Sequence, residues 1–280
     1  YFQYDIIVSK FGKDIVFCQL HFDTPANRTR LVDKCIRSIA SVRYNIVDMR
    51  INTFSIVALL VILPLAAIGQ DPTKVAPESY KLQFENAWIK VLRVSYAPNS
   101  KVPVHDHSKG PAGYVYLVDS GPVRFVHSGW DADPVLTRQA TKAGSFRLSP
   151  TRFDNETHAV ENISNTRSDF LRIEINTEAP DRQSLNARVG PFNGNRANGL
   201  NKIEFENSQL RVTRIISKPG SALTIAASGE EPTLLVALTP AVEFTLGQTI
   251  WLQAKETKTL GGESGQVELL RFDFKTKPKK

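Results

Sequence analysis

The chain has 280 residues, 41% of them hydrophobic and 22% charged, with a formal net charge of +7 and two cysteines. That composition excludes a disordered, collagen-like or disulfide-built protein and is sufficient for a buried core. Residues 1–48 carry seven Lys or Arg against five Asp or Glu, and Arg50 adds one more positive charge, so residues 70–280 carry +4 and give no reason to expect nucleic acid as a partner.

The single methionine, Met49, is followed by Arg50 and an apolar run from Phe54 to Ile68. A short positive start, an apolar stretch of ~7–15 residues and then small residues, here Ala67 and Gly69, form the layout of a secretory signal peptide. The run is shorter than the ~20 residues a bilayer span needs and contains Pro64, so no stable membrane span is expected after processing. The expected organisation is an upstream extension foreign to the mature protein at 1–48, a signal peptide at 49–69, and a periplasmic or secreted chain starting near Gln70. Cys18 and Cys35 both fall in the removed part, so the mature chain must be stabilised by its core.

From there on, short strands are predicted in succession. Val91–Tyr96 alternates, and β-branched and aromatic residues dominate Tyr114–Val118, Val123–Val126 and Leu171–Ile175, with turns at Pro98-Asn99, Ser120–Pro122 and Ala143–Ser145. No amphipathic helix of useful length is legible. His105 and His107 sit two apart on one strand and therefore share a face, and His158 lies just before a later strand. Three neutral imidazoles converging in a barrel suit a divalent transition metal, whether Fe, Mn, Zn, Ni or Cu. His127, near Trp130, reads as a surface or otherwise satisfied histidine. Glu156 and Glu161 bracket His158 as candidate outer partners, although solvated acids are commoner. Arg152 and Lys109 could meet an anion at the barrel mouth but read more simply as surface charges. Tyr114 and Tyr116 read as core residues.

Residues 177–200, rich in Asn, Gly and Arg, read as a surface linker, after which the sequence repeats itself. The stretch Lys81–Val94 matches Lys202–Ile215 without a gap, sharing Phe-Glu-Asn at Phe84–Asn86 and Phe205–Asn207. Leu171-Arg-Ile-Glu-Ile175 is echoed by Leu270-Arg-Phe-Asp-Phe274, with the second copy shorter by about 22 residues. An all-β protein of two repeats follows, at 70–176 and 201–280. In the ungapped alignment Ala226 and Ser228 replace His105 and His107, and no histidine follows His158. The second repeat is therefore expected to be metal-free, completing the core or a subunit interface.

Over nearly the whole of 70–280 the sequence resembles the cupin superfamily. Asn99, His105-Asp-His107, Tyr114 and Gly121 follow the first cupin motif, and Gly144, Pro150, His158 and Asn162 follow the second, with longer gaps after His107 and Pro150. Gly220 stands opposite Asn99, which implies a left-handed turn residue at both places. The resemblance implies two double-stranded β-barrel, or jelly-roll, repeats and a metal site on His105, His107 and His158. Tyr114 replaces the family's glutamate ligand, which leaves a three-histidine site and makes Tyr114 a candidate catalytic group, ligand, hydrogen-bond donor or filler. Three functions follow from the family: a metal-dependent dioxygenase acting on a small anionic or bidentate substrate, a metal-dependent isomerase or lyase, and a non-enzymatic periplasmic ligand-binding module. Homo-oligomers are also compatible with it. Since protons compete for neutral imidazoles of pKa ~6.5, metal affinity is expected to fall below about pH 6.

Overall fold

Period-two patterning produces strands almost throughout. The computed structural model describes residues 5–11, 14–20, 70–108, 110–128, 134–150, 156–179, 185–227, 229–241, 244–261 and 265–279. The signal-peptide stretch 49–69, Cys35, Lys109, Trp130, Arg152 and Ser228 lie outside these residues. The chain forms two units, 1–63 and 64–280. In the first, β1 (Asp5–Phe11) pairs antiparallel with β2 (Asp14–Leu20).

The second unit opens on one helical turn, α1 (Pro72–Val75), capped by the Asp71 carboxylate, which accepts from the Thr73 amide at 2.8 Å. Ten strands follow: β3 (Tyr80–Glu85), β4 (Ile89–Tyr96), β5 (Lys101–His107), β6 (Ala112–Tyr116), β7 (Val123–His127), β8 (Val135–Arg138), β9 (Phe146–Ser149), β10 (Glu156–Asn162), β11 (Ser168–Ile175) and β12 (Ala187–Val189). They form a four-stranded sheet, β5-β10-β7-β8, and a six-stranded sheet, β12-β9-β6-β11-β4-β3. The two sheets pack through one cluster that includes Val102, Val123 and Val160 from the first and Leu92, Tyr114 and Phe170 from the second. The segment expected to be a surface linker is partly built into this barrel, since β12 pairs with β9 and Leu185 is buried.

The second barrel repeats the plan with β13 (Leu200–Glu206), β14 (Leu210–Ile216), β15 (Ala222–Ala226), β16 (Thr233–Ala237), β17 (Thr249–Leu252), β18 (Thr257–Gly261) and β19 (Glu268–Phe274). Its sheets are β13-β14-β19-β16-β17 and β15-β18, and every pairing in both barrels is antiparallel. Most of the trimming falls on one hairpin. The offset between copies is 121 from Ala112 to Thr233 but 103 from Phe146 to Thr249, because among the described residues no strand between β16 and β17 corresponds to β7 and β8.

Duplication extends to the irregularities. The β-bulge at Leu82/Phe84 recurs at Ile203/Phe205. The Asn86 side-chain oxygen accepts from the amides of Trp88 and Ile89, as that of Asn207 does from Gln209 and Leu210, which accounts for the shared Phe-Glu-Asn. Asn99 (φ 54°) and Gly220 (φ 68°) both take the left-handed conformation, as their alignment implies.

Between the barrels lies a third core. Val91, Leu171, Ile173, Val212, Leu270 and Phe272 belong to one cluster drawn from both repeats, so the central strands of the large sheets are buried on both faces. Arginines at equivalent positions clasp this interface reciprocally. Arg93, bound to Asp169 at 2.7 Å, donates to the carbonyl of Leu246 at 2.9 Å, and Arg214, bound to Glu268 at 2.7 Å, donates to the carbonyl of Gly144 at 2.8 Å. The interior of the second barrel is packed with Ile225, Leu235, Phe244, Leu252 and Leu260, an apolar filling suited to a scaffold.

Candidate metal centre

The site begins with a bulge in β5. His105 pairs with His158 and Val102 with Val160, so Pro103 and Val104 together oppose Ala159. Proline has no amide hydrogen for the ladder and is tolerated at such a place. The extra residue resets the alternation, so that Val102, His105 and His107 are all buried. It also frees the Pro103 carbonyl, which lies 2.8 Å from His105 Nδ1. A carbonyl only accepts, so Nδ1 carries the proton and the lone pair is on Nε2.

The β15 strand lacks this bulge, and the ungapped alignment therefore slips by one residue. Ala226 is exposed, while Ile225 in β15 and Ala227 just after it are buried and occupy the interior places of His105 and His107. The second barrel still offers no ligand at these places.

His158, central on β10, pairs with His105 on one side and with His127 of β7 on the other. The ring centroids of His105, His107 and His158 lie 4.8–5.2 Å apart. Each can offer one nitrogen, all three within 4.8 Å of one another. A second group, His127, Glu156 and His158, meets the same criterion. Two features fit the first set to an ion. His105 Nε2 and both nitrogens of His158 are buried without a hydrogen-bond partner. His107 Nδ1 faces Glu174 Oε1 at 3.3 Å, an outer carboxylate of the kind that orients metal-ligating imidazoles.

His127 is 4% exposed, which removes the surface alternative of the expected surface or satisfied residue; Val123, Phe125 and His127 alternate inward along β7, which carries it into the cluster. Arg172, 4% exposed on β11, was not anticipated. It donates to Glu174 at 3.0 Å, to Glu156 at 2.9 Å and to the Tyr114 hydroxyl at 2.9 Å. Glu156 becomes an inner partner, 3.7 Å from His158 Nδ1 and 3.9 Å from His127 Nε2. Glu161 instead joins an exposed pair with Arg124. The motif residue Asn162 is structural: its side chain donates to the carbonyls of Ala97 and Thr166 and fixes a corner.

Burial lowers the pKa of His105, brings His107 to about 4 with help from the Arg172 charge, and drives His158 well below the usual imidazole value. All three are neutral at pH 7, ready to ligate. The shifts lie on the acid side of the limit expected near pH 6. Burial pushes Glu156 and Glu174 up, but Arg172 with His127 holds Glu156 far below the carboxylate range, and the His107 bond with Arg172 brings Glu174 to about 2. Tyr114 points inward, its ring 4.2 Å from the Arg147 guanidinium, and burial raises its pKa, so the phenol keeps its proton.

Beside the cluster is a cavity of about 380 Å³ lined by His107, His127, His158, aromatic side chains and arginines. Tandem antiparallel barrels with a histidine cluster inside the first define a two-repeat protein of cupin architecture. No protein-family model matches the sequence, and no curated protein does. Among solved structures the chain is similar to YhaK from Escherichia coli, with 14% identity, 70% of this chain and 91% of that one covered, and a TM-score of 0.46. It is also similar to the Escherichia coli bacterial pirin YhhW in complex with nickel(II) (13%, 72% and 91%, 0.43) and to a cupin domain from Bordetella pertussis (25%, 36% and 92%, 0.29). The strand order described above, rather than these low scores, carries the fold assignment.

Proposed function

We propose that His105, His107 and His158 hold one divalent transition metal ion and that the first barrel is an oxygenase site of cupin type for a small anionic substrate. The unpartnered buried nitrogens of His105 and His158 carry this reading. Each buried group left without a partner costs about 1–3 kcal/mol, and ligation would offset that cost. A bound ion supplies a Lewis acid and, if it is iron or copper, a redox centre with open positions for dioxygen and an anionic ligand.

The chain's own groups support the chemistry around it. The Pro103 carbonyl and Glu174 keep the Nδ1 protons of His105 and His107 in place and leave Nε2 for the ion. Arg172 holds Glu156 ionised beside His158, where the negative carboxylate offsets part of the charge of a bound ion. Cobalt(II) titration of chelator-treated protein tests the reading: visible bands of bound cobalt with one equivalence point support it, and their absence contradicts it. A second reading, a ligand cup without chemistry, is favoured by the arginine lining of the cavity, and oxygen uptake by the iron-loaded protein separates the two. Export is proposed from the run after Met49, and N-terminal sequencing of secreted material beginning near Gln70 would support it.

A further inference from the structure

The cavity beside the histidines has more positive charge than its own acids answer. Its lining includes Arg138, Arg147, Arg172 and Arg188, and Glu156 is its one acid among the described residues. Arg172 is committed to Glu156 and Glu174. Among the described residues Arg138, Arg147 and Arg188 form no ion pair, and the Nε atoms of Arg138 and Arg147 are buried without a partner. Two of these guanidinium groups lie over rings: Arg147 at 4.2 Å from the Tyr114 centroid, and Arg138 at 5.2 Å from Tyr116 and 5.4 Å from Phe170. One terminal nitrogen of Arg138 donates to the Ser168 hydroxyl at 2.8 Å, which fixes the side chain.

We infer that this cavity binds a planar aromatic carboxylate, its carboxylate held by Arg147 and Arg138 and its ring set between the walls formed by Tyr114, Tyr116 and Phe170. Guanidinium is the group that matches a carboxylate with two parallel hydrogen bonds, and unanswered buried N–H groups are satisfied by such a ligand. Flat aromatic walls select a flat apolar body behind the charged end. The same cavity is lined by His107 and His158, so a ligand anchored this way lies beside the proposed metal. The inference deepens the oxygenase reading by naming its substrate class, but the clamp itself requires no ion.

Calorimetric titration of the full chain with benzoate, after chelator treatment and again with metal, tests it; benzyl alcohol and inorganic phosphate are the controls. Benzoate is expected to bind the metal-free protein at one site, with benzyl alcohol at least ten-fold weaker. Arg147→Gln removes a charge-assisted hydrogen bond and should weaken benzoate about ten-fold or more, with part of the loss recovered in Arg147→Lys. Because Arg147 has no ion pair, Arg147→Gln relieves repulsion and should fold; Arg138→Gln repeats the test independently. Metal-free protein that ignores benzoate, phosphate bound as tightly as benzoate, or unchanged affinity in both glutamine variants would overturn the clamp. Benzoate binding without any metal uptake would leave the clamp standing and remove the oxygenase reading.

Discussion

Replacing Arg172 by methionine removes the one cation that two buried carboxylates share. The side chain is 4% exposed and makes three hydrogen bonds of 2.9–3.0 Å, to Tyr114, Glu156 and Glu174. Methionine fills comparable space without a donor, leaving both glutamates among the histidines with no guanidinium. Breaking a buried pair by deleting one partner costs about 3–5 kcal/mol, and with two acids affected the upper end is expected at pH 8. The sign with pH follows from the glutamates. Burial raises Glu174, but the His107 bond and Arg172 bring it down from 4.5 to about 2. A shift of that size corresponds to about 3 kcal/mol of stability, fully present above pH ~4.5 and lost as pH falls towards 2. In Arg172→Met the carboxyl groups titrate higher, and protonation relieves their burial, so the deficit is widest at pH 8 and narrows towards pH 4. Urea unfolding of metal-free parent and variant at pH 8, 6 and 4 reads this directly. A variant within about 1 kcal/mol of the parent at pH 8, or a deficit independent of pH, refutes the reasoning.

Acid should destabilise the metal-free protein through its histidines as well: with His107 at about 4 in the fold and ~6.5 unfolded, the unfolded chain takes up the proton first, so about 3 kcal/mol is lost between pH 6.5 and 4. Thermal or urea unfolding across that window should show a smaller loss in His107→Gln. Tyr114→Phe deletes one hydrogen bond from a charged donor and should cost about 1.5–3 kcal/mol in urea unfolding while metal uptake is retained; loss of metal would instead make the phenol a ligand. Arg214→Met removes a fully buried guanidinium from Glu204, Glu268 and the Gly144 carbonyl, and should cost about 3–5 kcal/mol in the same assay, whereas Ala226→Ser on the exposed side of β15 should be neutral.

The two repeats, their strands and the three histidines were legible because each rests on local pattern: identical Phe-Glu-Asn turns, period-two alternation, and His-x-His on one face. The charged half of the site was hidden by the duplication itself. In Leu171-Arg-Ile-Glu-Ile175 a polar face normally means solvent, but here the apolar face packs against the second barrel, and Arg172 and Glu174 are turned inward. Such a strand, buried on both faces, has the alternation of a half-exposed one. The bulge in β5 was hidden because an ungapped alignment cannot register one extra residue; Pro103, two residues before His105, was its sign. His127 was within reach, since it continues the inward positions of Val123 and Phe125.

Metal analysis of chelator-treated, reloaded and exhaustively dialysed protein, parent beside His105→Ala/His158→Ala, tests the central claim most directly. The parent should retain one divalent ion per chain and the double variant none, with both still folded by circular dichroism. A parent that retains no ion, or a double variant that retains as much as the parent, would contradict the three-histidine centre.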